Sequence, residues 1–184
     1  MTFSEQSTVD GYNCGEAASA MQKCIRRGLE RDALFWATEL DRSNFGEYVF
    51  KRLRIIASED IGPADTLTAL LVRTLYDNWR DQRKKDDSRH APERLFLVHA
   101  VLALCRAQKS RTVDHALVVN YEGERPRREV PDFALDKHTA RGRAKRRGWK
   151  HWWEHGCQLA ASPGEDYEAE ARAIRRDLQT EFVL

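Results

Sequence analysis

The chain has 184 residues, 41% of them hydrophobic and 33% charged, with a formal net charge of +2. That length suits one domain able to bury a sizeable core, and the lack of long Ser, Gln or Pro tracts argues against wholesale disorder. No apolar run approaches the roughly 20 residues of a membrane span, and Met1-Thr2-Phe3-Ser4-Glu5 opens no basic n-region with an apolar core behind it. Cys14, Cys24, Cys105 and Cys157 are scattered with no C-x-x-C, which fits reduced thiols in a cytoplasmic protein better than a disulfide framework or a cysteine zinc site. Charge is polarised: Glu122 to His151 holds ten Lys and Arg against five Asp and Glu, so that segment carries +5 and the remainder −3.

Taken in order, residues 1–12 lack periodicity and are expected to form a mobile lead. Asn13 with Glu16 is a capping-box pattern, and Ala17, Ala20, Met21, Cys24 and Ile25 repeat at helical spacing up to Gly28. Asp32 is the expected cap of a second helix, with Ala33, Leu34, Trp36, Ala37 and Leu40 on its apolar face. Asn44 and Glu47 repeat the box and open a third helix from about Tyr48 to Ile61, whose apolar face holds Val49, Phe50, Leu53, Ile56 and Ala57. Glu59 and Asp60 arrive just before the Gly62-Pro63 stop, at the end of a helix where partial negative charge disfavours acids. They need basic partners or another helix's N-terminus, so the mismatch points to a contact between elements.

At these residues a resemblance emerges. Arg27-Gly28, Asp32-Ala33-Leu34-Phe35-Trp36, Arg52-Leu53 and Ile56-Ala57-Ser58-Glu59-Asp60-Ile61-Gly62 with Ala64-Asp65 resemble the C-terminal, post-ATPase region of the replication-associated recombination ATPases. These are the MgsA or Werner-helicase-interacting type of AAA+ protein, relatives of clamp loaders. A second block, Glu93-Arg94-Leu95 through Ala100-Val101 to Ala107-Gln108-Lys109-Ser110, is similar to the same region's next helix and corner. The likeness spans about Ala17 to Leu117. It implies a collar or oligomerisation region, a role in DNA replication or repair, self-assembly or docking to a replication protein, and no catalysis of its own. On that footing Glu59, Asp60 and Asp65 become candidate assembly residues and a homo-oligomer is expected.

Asp65 also suits the start of a fourth helix, traced by Leu67, Leu70, Leu71, Thr74 and Leu75 toward Trp79. The charged run Arg80 to Arg89 reads as an exposed loop. Pro92 opens helix five, with Leu95, Val98, Val101, Leu102 and Cys105 on its face, and Ser110 caps a short sixth helix through Val118. Glu122 to Pro131 is polar loop. Trp149, Trp152 and Trp153 share one helical face and read as core. Ser162, Pro163 and Glu165 then begin a last helix with Tyr167, Ala171, Ile174 and Leu178 as its buried stripe. The expected fold is all-α: a compact domain of about seven or eight helices over residues 1–184, with a family-like core at 13–120 and a basic portion at 121–184.

The chemistry points away from catalysis. Lys109-Ser110 has no glycines before it to make a P-loop, and no G-x-S-x-G, H-E-x-x-H or EF-hand loop occurs. Lys137, Arg141, Arg143, Lys145, Arg146, Arg147 and Lys150 place seven cations in fourteen residues with no acid between, while Gly142 and Gly148 permit close approach. Phosphate is their natural partner, and Trp149 with His151 offers flat surfaces for an unpaired base, so nucleic acid, DNA before RNA, is the expected ligand. The same run also reads as a solvated loop docked on acids such as Glu59, Asp60 and Asp65. His138, His151, His155 and Cys157 have some zinc-like spacing but lack a nearby fourth ligand, and His155 beside Gly156 is more simply a helix-end cation, so no metal or cofactor is expected. The competing class is a metal-dependent nuclease or other phosphate-acting enzyme built on Asp132, Asp136, His138 and nearby arginines.

Overall fold

The computed structural model describes residues 2–83, 91–124 and 126–159, and the chain divides into two compact units, Met1–Arg125 and Pro126–Leu184. Among the described residues every regular element is helical, as the periodicity predicts, with one isolated antiparallel bridge between Ser7 and Asn13.

The first unit begins with α1 (Cys14–Arg27), whose cap Asn13 accepts the Glu16 N–H at 3.0 Å. Its end is a Schellman closure: Gly28 sits at φ +71°, its N–H reaching Ile25 O, and Leu29 N–H reaches back to Cys24 O at 2.9 Å. Only Leu29 separates that turn from α2 (Glu30–Arg42), so Asp32 falls inside the first turn, where it favours the helix dipole without acting as the cap. The same closure ends α2 and corrects the reading of Asn44. Asn44 adopts φ +67°, its N–H bonds Asp41 O, and Phe45 N–H bonds Leu40 O at 2.9 Å. Asparagine tolerates the left-handed region better than most side chains, so Asn44 ends α2 and does not begin α3 (Gly46–Ile56).

Beyond Ile56 the helix widens into a π-helical turn, Ala57–Ile61, before Gly62 turns the chain at φ +51°. α4 (Thr68–Arg83) and α5 (Glu93–Arg106) pack on each other, and α5 also meets α2. A short α6 (Thr112–Leu117), with its own π turn at Val118–Glu122, lies against the Ala57–Ile61 turn. Met21, Ile25, Leu40, Phe50, Ile56, Trp79 and Leu104 are fully buried in one core. Each such side chain contributes about 1.5–3 kcal/mol of burial.

The expected face of α4 is corrected. Thr68, Val72, Leu75 and Trp79 point inward, while Leu67 and Leu70 are 70% and 66% exposed. Leucines ring this helix, so spacing alone does not choose a face; the indole of Trp79, tilted on Phe50 at 5.2 Å, sets the phase. α5 likewise buries Leu97, Ala100, Val101, Leu104 and Cys105 and turns Leu95 outward. Residues 80–83 of the expected loop belong to α4, and residues 84–90 lie outside the described residues, as does the expected last helix with Tyr167, Ala171, Ile174 and Leu178.

The leading segment is packed, contrary to the mobile lead expected from its missing periodicity. Phe3 stacks on Tyr48 with centroids 3.7 Å apart, Val9 N–H donates to Ser43 Oγ, and Asp10 N–H donates to the buried Glu39 carboxylate at 3.1 Å. One aromatic anchor and a few backbone donors leave no periodic trace in a sequence.

The second unit, described over 126–159, contains a 3-10 turn at Asp132–Ala134, α7 (Ala140–Ala144) and α8 (Trp149–His151), which widens into a π turn at Trp152–Gly156. Thr139 caps α7 by accepting the Gly142 N–H at 3.0 Å. A third Schellman closure follows, with Arg146 N–H on Arg143 O and Arg147 N–H on Gly142 O, and it places Arg146 at φ +55°. Gly142 is required by approach: a Cβ there would lie 1.7 Å from the carbonyl oxygen of Asp136.

Candidate nucleic-acid interface

Three of the basic side chains are spent partly or wholly on holding the second unit together. Arg147 forks onto Asp132 at 2.7 and 2.6 Å with Nη2, while its Nη1 donates to the carbonyls of Asp132 and Leu135, each at 2.9 Å. Its guanidinium is therefore a strut, and the expectation that Arg147 faces phosphate is corrected by this full set of internal acceptors. Lys145 shares Asp132 at 3.3 Å. Arg143 donates to the carbonyls of His138 and Lys137, its side chain is exposed, and no carboxylate pairs with it among the described residues. Arg141, Arg146 and Lys150 are exposed, and no carboxylate pairs with them among the described residues.

Trp149 is 42% exposed, with the Lys137 ammonium 3.1 Å from its ring centroid. The three indoles form an edge-to-face chain, Trp149 on Trp152 at 5.5 Å and Trp152 on Trp153 at 5.6 Å. The single core face expected for them is corrected, because the π turn at Trp152 changes the spacing and leaves Trp149 exposed while Trp152 and Trp153 are half-buried. Lys137 covers one face of Trp149, so a stacking base must take the other face or displace the ammonium.

Asp132, Asp136 and His138 do not assemble into one site. Asp132 is turned onto Arg147 and Lys145, which hold its carboxyl below the usual range. Asp136 is buried and accepts the His138 N–H at 2.9 Å, with His138 Nδ1 3.0 Å from its other oxygen; the bond to His138 holds Asp136 below the usual range. This is a turn built within three residues. His151 and His155 lie 4.9 Å apart ring to ring, while Cys157 donates to the Trp153 carbonyl. Among the described residues no three His, Cys, Asp or Glu side chains converge as metal ligands.

In the first unit, Glu59 and Asp60 have the inter-element contact that their position demands. Asp60 is fully buried and accepts Arg26 Nε at 2.6 Å, with Gln22 and Arg111 each at 3.4 Å. Glu59 accepts Arg26 at 3.1 Å and Gln22 at 2.9 Å. Arg52 donates to the Gln22 amide oxygen, and Arg111 also holds Asp114. Their partners thus come from α1 and from the start of α6 in the same chain, which removes the electrostatic reason for a second copy at these acids. Asp65 does not join them; it accepts the Leu67 N–H at 3.3 Å where α4 begins. Arg26 and Gln22 were missed as partners, although Gln22 interrupts an apolar face between Met21 and Ile25, and such an interruption is the available signal.

No protein-family model matches this chain, and no curated protein matches it.

Proposed function

We propose that this chain is a non-catalytic accessory module of DNA replication or repair, akin to the post-ATPase region it resembles, and that it binds nucleic acid through the basic segment of its second unit. The observation that supports this reading is the division of labour within that segment. Arg147 is consumed internally, whereas Arg141, Arg146 and Lys150 stand exposed with no carboxylate pairing among the described residues, beside the exposed indole of Trp149. The family-like residues of α1 to α3 and the π turn meanwhile form a closed ionic network, which suits a rigid platform. Self-assembly and docking to a replication protein remain part of the proposal through the resemblance alone.

Binding of a fluorescent single-stranded oligonucleotide, followed by anisotropy against salt, tests the reading. Four or five phosphate contacts give a slope of log affinity on log salt of about −3 to −4, at roughly 0.7 to 0.9 per contact. Replacing Arg141 and Lys150 by Ala and Arg146 by Gly should flatten that slope by about 2 to 3 without loss of helicity. A folded protein with no binding at about 50 mM salt ends the nucleic-acid reading. Divalent-dependent cleavage of the same oligonucleotide would instead favour hydrolysis at Asp132, Asp136 or His138.

A further inference from the structure

We infer that a groove in the first unit, between α3, the Ala57–Ile61 turn and α6, is a docking site for an acidic peptide segment that carries apolar side chains. The groove has a volume of about 540 Å³ and a mainly apolar lining. Its apolar surface comes from Ile55, Val113 and Leu117, and its rim from Lys51, Arg54 and Ser58. Ile55 is 39% exposed although its helix α3 is otherwise well packed, and Leu117 is 49% exposed on the short α6.

Charge selects the occupant. Glu59 and Asp114 also line the groove, but both are already matched: Glu59 by Arg26 and Arg111, Asp114 by Arg111. Lys51 and Arg54 have no such match among the described residues. Arg54 lies over the Tyr76 ring at 5.0 Å, which positions its guanidinium at the rim without neutralising it. Of the four charged side chains that line the groove, the two carboxylates are already paired with arginines, so Lys51 and Arg54 are the charges left for a ligand over the apolar floor.

An occupant must therefore offer carboxylates to Lys51 and Arg54 and aliphatic or aromatic side chains to Ile55, Val113 and Leu117. A nucleic-acid backbone would satisfy the cations and leave the apolar lining in contact with polar sugar and phosphate, whereas an acidic peptide with apolar anchors satisfies both. The π turn contributes by geometry: widening the helix after Ile56 sets Ser58 and Glu59 at the groove edge while Asp60 is drawn inward to Arg26. π turns inside helices recur at functional sites. This inference is independent of nucleic-acid binding by the second unit.

The test is selection of a phage-displayed random dodecapeptide library on the folded full chain, followed by anisotropy with synthetic copies of the enriched peptides. Selected sequences should combine Asp or Glu with Leu, Ile or Phe. Lys51→Glu with Arg54→Glu should weaken their binding at least tenfold, as should exchange of the peptide acids for Gln. Leu117→Ser, at an exposed position, serves as a second variant that leaves the charges intact and should weaken binding about threefold or more. Circular dichroism confirms that each variant is folded. Failure to enrich any peptide, enrichment of basic or uncharged peptides, or equal binding by the charge-reversed protein would overturn the inference. Loss of peptide binding in the Arg141/Arg146/Lys150 variant, with binding retained by the Lys51/Arg54 variant, would show that the peptide sits on the second unit, and would overturn it too.

Discussion

Asp60 in the first unit and Asp136 in the second are both buried carboxylates, yet they are held by different means. Asp60 lies beneath an aliphatic core, and its partners Arg26 and Arg111 come from 34 and 51 positions away in the chain. Asp136 is held by a backbone N–H and a ring nitrogen only two residues on, and the longer ties nearby run 12 to 15 positions, from Arg147 to Leu135 and Asp132 and from Lys145 to Asp132. The first unit is a tertiary structure in which ionic groups are placed by packing, and a buried ion pair of that kind adds little net stability while being costly to break. The second is a locally wound turn assembly whose described apolar core amounts to Leu135. Among the described residues it is held by hydrogen bonds and the Arg147 strut, each contributing modestly.

Breaking the core of the first unit should have the largest effect. Ile56→Asp puts an unpaired charge among fully buried neighbours and should remove at least about 4 kcal/mol, leaving no cooperative urea transition for this unit. A folded, soluble Ile56→Asp protein would mean that the α3 face is misassigned. Next in size, Asp60→Ala removes the buried acceptor shared by Arg26, Gln22 and Arg111, leaving Arg26 on Glu59 and Arg111 on Asp114, and should cost about 3 kcal/mol in the same assay. A loss under about 1 kcal/mol would show that the arginines find water instead.

Gly142→Ala sharpens the comparison from the other side. Its methyl group would overlap the Asp136 carbonyl, so the second unit should lose about 3 kcal/mol or unfold, with Trp149 and Trp152 fluorescence shifting to the red while the first unit's transition stays in place. A single transition that moves as a whole would show that the two units unfold together.

Acid should weaken the second unit. Asp132 and Asp136 are held below the usual carboxylate range by Arg147 and His138, so the unfolded chain takes up their protons first as pH falls. Their contribution is complete above the unfolded value of about 3.9 and is lost as pH drops through the lower folded values. In the first unit Glu30, Glu39 and Asp114 are held low by Arg106, Thr8 and Arg111, whereas burial raises Asp41, which favours the folded state as pH falls. Histidine NMR signals from the second unit should therefore disperse less at pH about 3 than at neutrality.

The smallest expected effect is a gain. Arg146 occupies the left-handed closing position that Gly28 fills after α1 and Asn44 fills after α2. Arg146→Gly should leave the thermal midpoint unchanged or raise it, by up to about 1 kcal/mol in stability. A loss would show that the arginine side chain has a structural role of its own.

Much of this protein was legible from residue patterns alone. The all-helical class, the Asn13 cap, the Gly28 and Gly62 stops and the need of Glu59 and Asp60 for basic partners follow from period, capping and dipole, all of which act within one or two turns. What tertiary structure decided is which partner answers and which face turns inward. Asn44 and Asp32 look like N-caps because the same short polar side chains serve either end of a helix, and only the hydrogen bonds of the preceding turn distinguish them. Leu67 and Leu70 match a stripe as well as Val72 and Leu75 do, until the bulk of Trp79 against Phe50 fixes the rotation of α4. The seven cations of 137–150 are equivalent in a sequence, whereas the fold commits Arg147 to Asp132 and leaves Arg146 exposed. Charge is written in composition, but whether a charge is satisfied depends on distances that only folding sets.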